Sequence, residues 1–440
     1  MRAKISENSV TYPETIEFLY GLRLFGAKFG LENTLRLAAL AGNPQTKLRF
    51  IHVAGTNGKG STCAMLEGIY RATGRRVGLF TSPHLVSFRE RIQVNRVLIS
   101  ETSVIRLVKE IQPWLEEFPA GHHPTFFEVV TVMAMKFFAD RECDLVIWET
   151  GLGGRLDATN IVTPLASVIT NIALDHQQWL GDTLGQIAAE KAGIIKPGVP
   201  MITATEEPTA LAVIENVARE KHAPLTTVAG PNSPRLPRNP AAPALTLAGD
   251  HQKTNAALAM ATVEVLQSQI PAGQTAIRAG LASVRWAGRL QLVARPDGQQ
   301  ILLDGAHNAA GAAALRTTLE KDYAGSLPAI IFGALADKKW EAICSILAPI
   351  AGEVITVPVA SDRSAAAADL AAEFRAARPR LPAATARNLA DALNAFKDRR
   401  FIVITGSLYL VGEALERLGL SPEGGGERGL NEWTAPEKLQ

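Results

Sequence analysis

RFIHVAGTNGKGST, residues Arg49–Thr62, sets the reading of the whole chain. Its first residues form a short apolar run, which reads as a buried strand over Phe50–Ala54. Three glycines and a lysine follow, then a helix-like segment, Cys63–Ala72, behind Ser61 and Thr62. Glycines let backbone N–H groups wrap an anion, a helix N-terminus adds partial positive charge, and Lys59 adds a full one. A strand, such a loop and a helix in succession make a cradle for a polyphosphate. The strict GxxxxGK[ST] pattern is not met, because Val53 stands five before Gly58 and Gly60 follows Lys59. A plain tight turn would account for a Gly-Lys pair alone; the flanking strand and helix argue for a ligand.

Outward from this loop, apolar runs alternate with helical periods. Val77–Phe80, Leu145–Trp148, Ala166–Thr170 and Val199–Thr203 read as further strands, each followed by a turn and a helix-like segment. That alternation predicts an α/β fold with a mostly parallel sheet covered on both faces. The same grammar restarts after Arg295 with Ile301–Leu303, Ala329–Phe332, Val354–Val357 and Phe401–Ile404. We therefore expect a first domain over 1–285, a linker over 286–298 and a smaller domain over 299–420. Residues 421–440 read as a flexible tail, and Gly230–Pro243, rich in Pro and Asn, as a surface loop.

The chain has 440 residues, 45 Lys+Arg and 43 Asp+Glu, a net charge of +2, and 47% hydrophobic residues. Such a composition suits a soluble globular protein and excludes a disordered one. Balanced charge argues against a broad basic surface for nucleic acid or anionic lipid, though not against a small anion in a pocket. Cys63, Cys143 and Cys344 are odd in number and far apart, so they suggest neither a disulfide framework nor a CxxC metal site. No signal-peptide core and no apolar run of 18 residues is present, and a monomer in a reducing cytoplasm is expected.

Further motifs follow in order: TSPHL at 81–85, FFE at 126–128, ETGLGGRLDATN at 149–160, LDH at 174–176 and EKAGIIK at 190–196. GDHQKTNA at 249–256, WAGR at 286–289 and DGAHN at 304–308 complete the set. Together with GTNGKGST, they resemble the folylpolyglutamate synthase/dihydrofolate synthase branch of the Mur ligase superfamily, over roughly residues 20–415. Thr150, where that branch usually carries Val, is a small departure. The resemblance implies a two-domain Mur-ligase-like architecture, a P-loop-type domain followed by a smaller Rossmann-like α/β domain.

The residues support part of this chemistry by themselves. Asp144–Glu149 is an apolar strand ending in a carboxylate, an arrangement that sets an acid over nucleotide phosphates to carry Mg²⁺. Leu184, Ile187, Ala188 and Lys191 fall on one helical stripe, with Asp182 as N-cap and Pro197-Gly198 as stop. Burial there lowers the pKa of Lys191 and leaves a nucleophilic amine; a lysine snorkelling to solvent is the alternative. Thr125-Phe126-Phe127-Glu128 reads as a capping box opening an apolar helix, with two flat faces for stacking a bicyclic ring.

Other roles come from the resemblance. It implies that Thr56, Asn57, Gly58, Lys59, Gly60, Ser61, Asn255, Arg289, Asp304 and His307 bind ATP. With Gly60 after Lys59, the usual hydroxyl ligand is displaced, and the resemblance gives that duty to Ser82, which otherwise caps a turn before Pro83. It implies a second Mg²⁺ bridging Glu149 and His176, although spacing alone reads His176 as structural, and a carbamate on Lys191. A monovalent cation has room in the same scheme. Phe29, Gly30, Leu31 and Glu32 join Thr125, Phe126, Phe127, Glu128, Leu156, Asp157 and Ala158 as the pterin side. His251 reads as structural.

The expected reaction is ATP-dependent ligation of L-glutamate to dihydropteroate and to reduced folates through an acyl phosphate. A peptidoglycan-type Mur ligase acting on a UDP-linked precursor is the first alternative. A regulatory P-loop NTPase is another, lacking here an N-K-x-D base-reading motif, and a non-catalytic scaffold with a vestigial loop is a third.

Overall fold

Strands covered on both faces are apolar at almost every position, and the apolar runs of this sequence build two such sheets. The computed structural model describes residues 10–23, 30–119, 121–228, 245–421 and 427. The loop expectation for 230–243 therefore lies outside the described residues, as does the tail apart from Ser421 and Glu427. The first sheet takes β1 (Phe50–Ala54), β2 (Val77–Phe80), β3 (Ile92–Val94), β4 (Val97–Leu98), β5 (Leu145–Glu149), β6 (Ala166–Ile169), β7 (Met201–Thr203) and β8 (Leu225–Thr227). Their order is β4-β3-β2-β5-β1-β6-β7-β8, with only β3 running against the rest. Thus β1, which feeds the glycine loop, lies centrally between β5 and β6.

The second sheet takes β9 (Gln291–Ala294), β10 (Gln300–Leu303), β11 (Ala329–Phe332), β12 (Glu353–Thr356), β13 (Ala383–Thr385) and β14 (Phe401–Thr405), in the order β13-β12-β11-β14-β10-β9. Only β9 is antiparallel. The stretch 286–298, read as a linker, thus contributes an edge strand to the second sheet. The α/β class stands.

Helices cover both faces. Tyr12–Leu22, Glu101–Leu115 and Phe126–Asp140 bury apolar side chains with Phe50, Phe80 and Trp148. Lys59–Arg71, Asp250–Val265 and Gln274–Ser283 pack on the opposite face around Ile51, Leu79 and Ile147. One loop joins the lobes: Val86, fully buried, belongs to the core around Ile301 and Ile404 of the second sheet and Leu410 of the helix Leu408–Arg417. Leu85 packs against that same core.

The helix bearing Lys191 runs Leu184–Ala192, and its N-cap is Thr183, in a capping box with Gln186. Asp182 is therefore not the cap, and the helix ends before Pro197. Thr183 has the reach and the extended backbone for the cap; Asp182 stands one residue too early.

Candidate functional site

The C-terminal ends of β1, β5 and β6 in one sheet, and of β10 and β11 in the other, open on a shared cavity of about 870 Å³. Loops at such strand ends are where α/β proteins hold ligands. The glycine loop is fastened from β6: Asn57 N–H donates to Asn171 Oδ1 (2.8 Å), and Thr170 Oγ1–H donates to the Asn57 carbonyl (2.6 Å). Thr56 N–H donates to Asn171 O (2.8 Å). Lys59 turns its ammonium back on the loop, onto Gly55 O (3.2 Å) and Thr56 O (3.4 Å).

Gly58 caps the helix Lys59–Arg71 with φ +85, and a Cβ there would lie 2.5 Å from Asn255 Oδ1. Asn255 thus seats against the loop, and its neighbour Gln252 donates to Ser61 Oγ (3.3 Å). A Cβ on Gly60 would meet the Trp286 indole at 2.9 Å. The indole therefore stands in the space that a hydroxyl-bearing residue after Lys59 would need.

Glu149, at the end of β5, is 4% exposed and accepts one hydrogen bond, from Ser82 N–H (3.1 Å). Burial raises its carboxyl to about 7, against the pull of Lys59. Lys191 is 4% exposed and, among the described residues, has no hydrogen bond or ion pair. Burial first, then the Lys59 ammonium, lowers its pKa to about 7. Burial thus favours the neutral form of both groups.

His176 faces the second lobe, where its Nε2 accepts from Lys338 Nζ (3.2 Å). Its desolvated position, and then Lys338, lower its pKa to about 3, so it is a neutral imidazole. Asp175 beside it gathers Lys338 Nζ (2.6 Å) and Asn308 Nδ2 (3.0 Å), with His307 Nε2 at 3.6 Å. Burial alone would raise this carboxyl; the neighbouring His307 and the Lys338 charge outweigh it and hold it well below the usual range. Asn308 also exchanges two amide hydrogen bonds with Asn57 of the glycine loop, at 3.0 and 3.1 Å. The lobes are therefore clasped directly at the loop. Neither Lys338 nor Asn308 was a candidate from sequence. Asn308 lies inside DGAHN, and Lys338 follows the end of β11, which is the signal that would have found it.

Arg289, Asp304 and His251 line the cavity from the second side. Asp304 accepts from Leu290 N–H and Ala306 N–H, both at 3.0 Å, and burial raises its pKa against the pull of Arg289. His307 donates Nδ1–H to Gly305 O (2.7 Å), which leaves Nε2 toward Asp175.

A second arm of the cavity runs along Thr125, Phe126, Phe127, Glu128, Leu156, Asp157, Ala158 and Gly30. The capping box forms, Thr125 N–H donating to Glu128 Oε2 (2.7 Å). Asp157 spends its carboxylate on its own loop, accepting from Leu152 N–H (2.7 Å) and Thr159 N–H (3.0 Å). Leu31 and Glu32 stay out of the cavity wall, Glu32 being exposed in the first turn of its helix. Phe29 lies outside the described residues.

The Mur ligase middle domain profile matches residues 53–235, and the Mur ligase glutamate ligase domain profile matches residues 288–408. The chain is 36% identical to a dihydrofolate synthase/folylpolyglutamate synthase of Bacillus subtilis, over 92% of this chain and 99% of that protein. It is 33% identical to the folylpolyglutamate synthase of Lacticaseibacillus casei, over 93% and 99%. Mycobacterium tuberculosis folylpolyglutamate synthase complexed with ADP and AMPPCP superposes with a TM-score of 0.85 at 31% identity, covering 94% of this chain and 100% of that one. E. coli FolC in complex with DHPP and ADP gives 0.83 at 30%, covering 94% and 99%.

Proposed function

The chain belongs to the dihydrofolate synthase/folylpolyglutamate synthase family of Mur ligases, and from that membership we propose that it joins L-glutamate to dihydropteroate and to reduced folates at the cost of ATP. The observation that carries the reading is the single cavity. The glycine loop with Lys59, the buried acid Glu149, Arg289, Asp304, Phe126 and Phe127 all line it.

Amide formation from a carboxylate in water is uphill, so the carboxylate needs a leaving group. The acceptor's carboxylate oxygen attacks the γ-phosphorus of ATP, ADP departs, and an acyl phosphate remains. The α-amine of glutamate then attacks the acyl carbon, phosphate leaves, and the amine releases a proton. Lys59 neutralises charge on the transferred phosphoryl oxygens once a phosphate draws it from Gly55 O and Thr56 O. Asn255, Arg289, Asp304 and His307 serve the nucleotide, with Thr56–Ser61 around its phosphates. The Asn57–Asn308 and Asp175–Lys338 contacts hold the lobes shut and keep water from the acyl phosphate.

Mg²⁺ fits the residues present. Glu149 is a buried carboxylate with one donor, Ser82 lies against it, and His176 is a neutral imidazole. Among the described residues no group of three His, Cys, Asp or Glu side chains is placed to hold a metal ion by itself. The Ser82 hydroxyl, nucleotide oxygens and a carboxylate built on Lys191 would therefore complete the coordination with Glu149 and His176. A bound Mg²⁺ would supply Lewis-acid polarisation of the γ-phosphate. Lys191, a ready nucleophile near neutral pH, would add to CO₂ and lose one N–H proton to water, becoming a carbamate anion.

The enzyme acts as a monomer in this reading. The cytoplasm suits its three free, buried cysteines. Among the described residues no helix is long and apolar enough to cross a membrane. The test is incubation with ATP, Mg²⁺, labelled glutamate and either dihydropteroate or tetrahydrofolate, the product being identified by mass. ADP release should require both the pterin carboxylate and glutamate. Steady hydrolysis without them would overturn the reading.

A further inference from the structure

β3 and β4 are joined by Asn95 and Arg96, both left-handed, at φ 50 and 68. A two-residue hairpin turn of this kind needs positive φ at both centres, which suits Asn followed by Gly. Asn95 fits, and it ties the turn to β2: Val77 N–H donates to Asn95 Oδ1 (2.8 Å), and Asn95 N–H to Val77 O (2.9 Å). Arg96 fits poorly, because a Cβ crowds the backbone in the left-handed region. A strained residue persists where its surroundings hold it, and here the hold is on the Arg96 side chain.

Arg96 Nη2–H donates to the Arg285 carbonyl (2.7 Å), and its guanidinium carbon lies 5.1 Å from the centroid of the Trp286 ring. A cation on an aromatic face and a charge-assisted hydrogen bond to the neighbouring carbonyl make a two-point clamp. The carboxylate of fully buried Glu67 offsets part of the cost of burying this guanidinium. The clamped indole presents its nitrogen edge to Gly60, in the first turn of the helix that follows the glycine loop. Neither Arg96 nor Trp286 lines the cavity, so both act through what they hold.

They hold the start of the connection between the lobes. Trp286 is seated on the first lobe, whereas Gly288 is already bonded within the second. The Gly288 carbonyl accepts from Gly305 N–H (2.9 Å), and its N–H donates to Gln291 Oε1 of β9 (3.0 Å). Ala287 between them is exposed, and Arg289, which follows at once, enters the cavity. Resting on the function proposed above, in which Arg289 serves the nucleotide, we infer that Arg96 is a positioning residue for ATP. Its clamp on Arg285 and Trp286 fixes the first-lobe end of the connection beside the glycine loop, and so sets where Arg289 stands in the cavity. The acceptor arm along Thr125–Glu128 and Leu156–Ala158 is no part of the clamp and keeps its affinity.

The experiment uses the full chain and reads ATP KM with acceptor and glutamate, ADP Kd by calorimetry, acceptor Kd without nucleotide, and Tm. Arg96→Gly and Arg96→Ala remove the same clamp but differ in the turn, since Gly takes a left-handed backbone without strain. Both should raise ATP KM and ADP Kd by about five- to twentyfold and leave acceptor Kd within about twofold. The Gly variant should melt above the Ala variant, so that nucleotide affinity parts from stability. Arg96→Lys keeps a cation over the ring without the fork and should raise ATP KM by only about threefold. In an Arg289→Ala background, Arg96→Gly should add nothing to ADP Kd, because the two act in series. The inference is overturned by nucleotide constants that stay unchanged, that recover in the Gly variant in step with its Tm, or that multiply with Arg289→Ala. An equal rise in acceptor Kd overturns it as well. A natural chain that binds ADP but forms none from ATP with acceptor and glutamate overturns the proposed function instead, and ADP Kd still tests the clamp.

Discussion

Lys59 is the one cation inside the glycine loop, so its removal has a simple expected result. Lys59→Ala should lower kcat/KM by about 10³ or more, as loss of a charge at a transferring phosphoryl group does. Acceptor binding, measured without nucleotide, should not change. Glu149 and Lys191 make a subtler prediction. The folded chain keeps the Glu149 proton that the unfolded chain releases as pH rises from its ordinary 4.5 to about 7. Stability of the ligand-free protein therefore falls through that window, by on the order of 3 kcal/mol. Lys191 has the opposite sign: the unfolded chain holds a proton between about 7 and 10.5 that the folded chain has lost, so stability recovers as pH rises there. The ligand-free protein should be weakest near neutrality. Glu149→Gln should flatten Tm between pH 5 and 7 and raise it at pH 7, while turnover is lost; a Tm that still follows the natural profile contradicts this.

Elements differ in how plainly the sequence wrote them. β1, β2, β5 and β6 are buried at every position, so each appears as a mostly apolar run, broken only by His52, Ser167 and the terminal Glu149. β8 (LTT), β9 (QLVA) and β13 (AAT) lie at sheet edges, half exposed and short, and carry neither a continuous run nor a strong alternation. That is why 286–298 looked like linker. The stripe that buries Lys191 was legible from spacing, whereas its cap was not, because Asp182 and Thr183 are both good caps and only backbone geometry chooses between them. Thr183→Ala should therefore cost about 1 kcal/mol of stability, the usual value of an N-cap, and Asp182→Ala only a few tenths. Thermal melts of the two variants decide it.

At the scale of the molecule, closure is written in side chains that come from opposite lobes. Lys338 sits in a run, Asp337-Lys338-Lys339, that reads as solvated surface, and nothing near it in sequence announces Asp175, 163 residues away. Both side chains are under a tenth exposed in the pair, so removing Lys338 takes from buried Asp175 its full positive partner and leaves it Asn308 and His307. Lys338→Ala should cost about 3 kcal/mol of closure or more. It should also enlarge the radius of gyration of the nucleotide-free protein in solution scattering. Scattering identical to that of the natural chain would show that the Asn57–Asn308 pair and the Val86 contact suffice without it.

The position of Val86 carries a consequence for any attempt to take the protein apart. A polypeptide ending at 287 would display Leu85 and Val86 to water, and its complement would carry a greasy notch of matching shape. The two fragments should each be prone to self-association, yet reassemble when mixed, because one tooth of the first is already cut for the second.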